Sequence, residues 1–142
     1  MADKNLRPFR TQLFYSTLKN NKHRFTKYAP IFPQETTASY AHPFLLDDGK
    51  TLLFTSDRPG GYGGFDLYLS RYDEQTNIWG VPVNLGPEVN TEGDEIFPVL
   101  YKGRLLFASN GLPGFGGYDL FSAAYDKEGV VPGSINHFPA PV

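Results

Sequence analysis

The side chains able to do chemistry in this sequence are few and scattered. The three histidines, His23, His42 and His137, share no short motif, and no His-Glu-x-x-His metal box is present. There is no cysteine, which excludes a disulfide framework and a zinc-thiolate site. A Ser56–His42–Asp66 triad can be assembled on paper, but no nucleophile elbow surrounds the serine. The carboxylate pairs Asp47-Asp48 and Asp94-Glu95 fall in polar turn segments, where solvated residues are expected. Two carboxylates hydrolyse a glycosidic bond only when they converge across it, and spacing along the chain does not show convergence. The residues therefore predict no catalytic group, no metal and no cofactor.

The most distinctive stretch is Gly60-Gly-Tyr-Gly-Gly-Phe-Asp66. Its start resembles a dinucleotide loop. It lacks the last glycine, however, and a strand follows where a helix N-terminus should hold phosphate. It also approaches the Gly-Gly-x-Gly-x-Asp calcium repeat, with one residue too many and no nine-residue period. The reading that remains is a structural turn. Gly60, Gly61, Gly63 and Gly64 supply positive φ and close backbone approach, while Asp66 accepts hydrogen bonds from freed N–H groups or from Ser56. Tyr62 sits between glycines at the loop tip, where packing partners are few. An aromatic there is a candidate partner contact.

The loop comes back. Gly114-Phe-Gly-Gly-Tyr-Asp119 repeats it, with Gly116, Gly117 and Asp119 in the turn and Phe115 as the second candidate contact. Ser56 and Ser109, Gly63 and Gly116, and Asp66 and Asp119 each lie 53 residues apart. A fixed period of this size marks a repeat architecture.

Strands must carry these loops. With 12 Phe, 9 Tyr, 15 Gly and 12 Pro, and no helical apolar stripe, the chain predicts an all-β fold of short strands and many turns. After a tail at 1–10, strands are expected at 11–16 and 23–28 around a turn at 19–22. Four more are expected at 42–46, 51–56, 65–71 and 78–83, then another set at 96–101, 104–109 and 118–124, with the register continuing to Val142. Four antiparallel strands recurring about every fifty residues describe a β-propeller blade. The division is a partial blade at 11–41, a complete blade with its crossing loop at 42–95, and a second blade at 96–142. Propellers close with about four blades or more. Two and a half would form an open array with a bare edge at Thr11–Ser16, so further blades or self-association are expected.

The formal net charge is -2, unevenly spread. Residues 1–30 carry seven Lys/Arg against Asp3 alone. Aromatics near this basic end alternate as core residues do and form no stacking platform, so no nucleic-acid partner is expected. No apolar run reaches the length of a membrane-spanning helix, and residues 1–10 show no signal peptide.

Residues 48–68, Asp-Gly-Lys-Thr-Leu-Leu-Phe-Thr-Ser-Asp-Arg-Pro-Gly-Gly-Tyr-Gly-Gly-Phe-Asp-Leu-Tyr, followed by Trp79-Gly-Val-Pro-Val-Asn-Leu-Gly-Pro-Glu-Val-Asn-Thr-Glu-Gly-Asp-Glu95, resemble the WD-repeat-like propeller repeat of TolB-type proteins. The glycine-rich form is similar to the propeller of OmpA-family outer-membrane proteins and lipoproteins of certain Gram-negative bacteria, some of them in a secretion and gliding apparatus. The resemblance covers roughly residues 11–142. It implies a periplasmic or outer-membrane-associated scaffold that binds a protein partner, with peptidoglycan or glycan reached through other domains. The chain departs from that family in having no peptidoglycan-binding OmpA domain, no signal sequence and no lipobox cysteine. A second reading is the propeller portion of a carbohydrate-active or peptidase-type enzyme whose active site lies outside this chain. The core is expected to include Phe44, Leu46, Leu53, Leu67, Leu69, Phe97, Leu106 and Leu120.

Overall fold

Short apolar runs in 51–56 and 104–109 and apolar-rich stretches in 66–73 and 119–126 form strands, and the rest of the chain is arranged on them. The computed structural model describes residues 10–19, 24–25, 27, 29–34, 37–114 and 116–138. In chain order the strands are β1 (Phe14–Tyr15), β2 (Leu18–Lys19), β3 (Arg24–Phe25), β4 (Ala29–Pro30), β5 (Tyr40–Leu45), β6 (Thr51–Ser56), β7 (Asp66–Asp73), β8 (Ile78–Trp79), β9 (Val83–Asn84), β10 (Glu95–Tyr101), β11 (Arg104–Ser109), β12 (Asp119–Asp126), β13 (Gly129–Val130) and β14 (Asn136–His137). The fold is all-β. Among the described residues there is no helix long and apolar enough to cross a membrane.

Two sheets repeat the same plan. In the first, β5, β6, β7 and β8 pair antiparallel in that order and β9 also pairs with β7. In the second, β10, β11, β12 and β13 do the same and β14 pairs with β12. The fourth strand expected at 78–83 is thus two short pieces. The chain bends at Gly80–Pro82, where proline offers no N–H to a ladder. Gly80 is tied back to β7 instead: its N–H donates to the Arg71 carbonyl at 2.8 Å, and its carbonyl accepts from Ser70 Oγ at 2.6 Å. The second sheet bends at the matching place, with Ser134 Oγ accepting from the Ala124 N–H.

The first strand of each sheet carries a bulge. The β5–β6 register shifts between Ala41 and Phe44, and the β10–β11 register between Ile96 and Val99. His42 and Phe97 occupy these bulges with φ of 52° and 54°, each just before a proline. Left-handed backbone is uncommon for residues with a side chain. Here the surroundings hold it: the two rings stack at 3.6 Å, and His42 Nδ1 accepts from the Phe97 N–H at 3.3 Å.

At the N-terminal end, β1 pairs with β4 and β2 with β3. The expected strand at 11–16 is only two residues long. One of its edges is occupied, since the Leu13 and Thr11 carbonyls accept from Ile31 and Tyr40 at 2.9 Å each. Residues 1–9 of the expected tail, residues 20–22 of the expected turn, residues 23, 26 and 28 of the expected strand after it, and residues 139–142 lie outside the described residues.

Two apolar layers hold the sheets. Leu53, Leu67 and Leu69 of the first sheet meet Leu105, Phe107, Phe121 and Ala123 of the second, with Val89 of the crossing loop. On its other side the first sheet packs Tyr40, Leu52, Phe54 and Tyr68 against Ile31 and Ala38. Covered on both faces, β6 is buried along its whole length. Phe44, Leu46 and Leu106 are half-buried rather than sealed. Two expected core residues are exposed instead: Phe97 at 57% and Leu120 at 60%. Leu120 lies on the face of the second sheet that no described residue covers, and Phe97, stacked on His42, borders that face, whereas Leu67, 53 residues before Leu120, is covered by the second sheet and fully buried.

Candidate contact surface at the glycine-loop rim

Three loops meet along one rim: the first glycine loop, the crossing loop 85–94, and the second glycine loop. The first is fastened to the crossing loop by backbone bonds from Gly64 N to Gly93 O at 3.0 Å and from Glu95 N to Phe65 O at 2.7 Å. The crossing loop is fastened to the second by Asp94 N to Asn110 Oδ1 at 2.6 Å and Asn110 N to Asp94 O at 3.2 Å. Asp94 bridges the two. Its Oδ1 accepts from the Phe65 N–H at 2.8 Å, and its Oδ2 accepts from the Tyr118 hydroxyl at 3.3 Å. Lost solvation, then the facing Asp94 carboxylate, raise the Tyr118 phenol above its ordinary pKa.

Within the first loop, Asp66 is fully buried and its Oδ2 accepts from the Tyr62 N–H and from Asn84 Nδ2 at 3.1 Å. Its Oδ1 has no hydrogen-bond partner among the described residues. The expected partner Ser56 turns elsewhere, accepting from the Arg58 N–H at 3.1 Å. Asn84 is in turn held by Asn90, whose amide also bonds both backbone groups of Leu67 as a neighbouring strand would. Of the loop glycines only Gly60 has the positive φ expected of a turn, +92°. Gly61, Gly63 and Gly64 are there for space: a Cβ would run into the Asp66 carboxylate, the Thr91 carbonyl and the Asp94 carboxylate respectively.

The second loop is built more loosely. A Cβ on Gly114 would meet the Asp119 carboxylate, but Gly116 and Gly117 face open space. Asp119 Oδ2 accepts from the Gly116 N–H at 3.2 Å, and Oδ1 lies 3.6 Å from His137 Nε2. His137 stands 53 residues after Asn84, so an imidazole replaces the amide that serves Asp66. Its ring also packs on Phe121 at 4.8 Å.

Tyr62 stands at the first loop tip, 49% exposed. Phe115, the second expected contact, lies outside the described residues. Tyr118, exposed at the same rim, was not singled out by the sequence.

Two further groups, His42 and Glu95, are engaged in structure, and His23 lies outside the described residues. His42 is committed to Phe97, and burial lowers its pKa. Glu95, expected in a solvated turn, is fully buried. It accepts from the Thr91 N–H and hydroxyl at 2.7 and 2.8 Å and from Ser109 Oγ at 2.6 Å. The signal for it is Thr91 four residues earlier, able to reach back to the same carboxylate. Among the described residues no group of three or more His, Cys, Asp or Glu could hold a metal ion. No family model, curated protein or solved structure matches the chain.

Proposed function

We infer that the protein is a non-catalytic scaffold of β-propeller type, with two complete four-stranded blades and a partial one before them, that binds a protein partner through its glycine-loop rim. The setting in a bacterial cell-envelope assembly belongs to the same proposal and rests on the resemblance of residues 48–95. The observation that carries the reading is the presentation of Tyr62. An aromatic side chain is left half in solvent on a loop whose backbone is clasped by Asp66 on one side and by Gly93 and Asp94 on the other. A rigid aromatic loses little conformational freedom on binding, which favours it as a contact.

The test is site-specific photocrosslinking in the cells that make the protein. A benzophenone side chain is placed at Tyr62 and, as a control at the opposite end of the sheets, at Tyr101, which is also exposed. A discrete adduct at position 62 that is missing at 101 is the expected outcome. Equal labelling at both, or none at 62, would overturn the proposal.

A further inference from the structure

The outer face of the second sheet is apolar. Phe97, Val99, Leu106, Leu120 and Phe138 line a depression of about 460 Å³ on it, and all of them but the half-buried Leu106 are exposed. The repeat says what such a face is for. Leu106, Ala108, Leu120 and Ser122 stand 53 residues after Leu53, Thr55, Leu67 and Leu69. In the first sheet that set is buried, and the second sheet covers it with Leu105, Phe107, Phe121 and Ala123. The covering set is itself a repeat feature. Counted back 53 residues it is Leu52, Phe54, Tyr68 and Ser70, a leucine, a phenylalanine, an aromatic ring and a small residue on adjacent strands. Each repeat sheet thus has a receiving face and a covering face of fixed composition, and the second sheet's receiving face is open. An apolar patch of this kind marks an interaction surface.

We propose that this face docks a further sheet of the same repeat, one that presents the leucine–phenylalanine–aromatic–small set. The occupant is neither a loose apolar peptide nor the open face of a second copy. Its shape and composition are those of the interface already formed between the two sheets of this chain.

The experiment lengthens the chain in register. Residues 37–89, or in a second variant residues 90–142, are added once more after Val142, so that Leu52, Phe54, Tyr68 and Ser70, or Leu105, Phe107, Phe121 and Ala123, recur at the spacing the repeat requires. Amide exchange along β12 should slow about tenfold or more in either extended chain relative to the 142-residue protein, and binding of an apolar dye should fall. Leu120→Lys should abolish that protection in the extended chains while leaving exchange in the unextended chain unchanged. The proposal is overturned if neither extension protects β12, or if Leu120→Lys makes no difference to the protection. It is also overturned if the unextended protein forms a dimer that Leu120→Lys dissolves, because the occupant is then a second copy. None of these outcomes bears on Tyr62, which lies at the rim.

Discussion

Replacing Asp66 by alanine removes the acceptor for two donors, the Tyr62 N–H and Asn84 Nδ2. A hydrogen bond to a charged acceptor contributes about 1.5–3 kcal/mol, and a buried donor left without a partner costs about 1–3 kcal/mol. Tyr62 is half exposed, so water can replace the acceptor there. Asn84 is only partly exposed and is held in place by Asn90, so its amide cannot easily turn away. The net loss for Asp66→Ala should be about 2–4 kcal/mol. With a urea slope of about 2 kcal/mol/M, the unfolding midpoint should fall by roughly 1–2 M. Asp66→Asn should be much milder. It keeps an oxygen for Tyr62, and it relieves the burial of a carboxylate one of whose oxygens has no hydrogen-bond partner among the described residues. Asp119 supplies the contrast. It is partly exposed, and its partners are one loop N–H and His137, so Asp119→Ala should cost about 1 kcal/mol or less. Urea unfolding of the three variants decides the matter. An unchanged midpoint for Asp66→Ala, or equal losses at 66 and 119, would refute the account of the loop. So would a rise in the wild-type melting temperature with calcium that the double aspartate variant lacks, because the carboxylates would then be ligands.

Leu67→Ala should cost about 2–5 kcal/mol, whereas Leu120→Ala, at the same repeat position but exposed, should stay within about 1 kcal/mol; urea midpoints of the two variants check this. Burial lowers the pKa of His42, so below the unfolded value of about 6.5 the unfolded chain takes up more protons than the folded one. Stability from this group should be complete above that pH and decline as pH falls below it, and the decline should vanish in His42→Gln when melting is followed against pH. Gly63→Ala should be clearly destabilising, since its Cβ would strike the Thr91 and Glu92 backbone, while Gly116→Ala, which faces open space, should leave the melting temperature nearly unchanged.

The long strands were legible because their signals are local. Leu52 to Thr55 and Leu105 to Ala108 are short, nearly continuous apolar runs of the kind a strand covered on both faces shows, and turn residues bound them. The 53-residue period was legible for the same reason. What escaped depends on neighbours distant in sequence. Leu67 and Leu120 have nearly the same flanking residues, and their burial differs only because one sheet lies over the first and none over the second. Glu95 reads as one of a solvated acidic pair until Thr91 and Ser109 converge on it. The split of the fourth strand follows from Gly80 and Pro82. In the rim, the glycines were legible as a turn but not by mechanism. At Gly61, Gly63 and Gly64 the constraint is a carboxylate or carbonyl from elsewhere against the Cα, which no local pattern displays.

The bulges at His42 and Phe97 exchange the faces of the strands that contain them. Tyr40 pairs with Ser56 and lies in the layer on the N-terminal side of the first sheet, whereas Phe44 pairs with Leu53 and lies in the layer between the two sheets. Four residues apart on an unbroken strand, the two side chains would share one face. The extra residue reverses the alternation, so a single strand serves both of its neighbours. A deletion of His42 would restore regular pairing. It would leave Tyr40 opposite Ser56 and Phe44 opposite Leu53, each still in its own layer, so what the extra residue supplies is the ring that stacks on Phe97 and ties the first strands of the two sheets together.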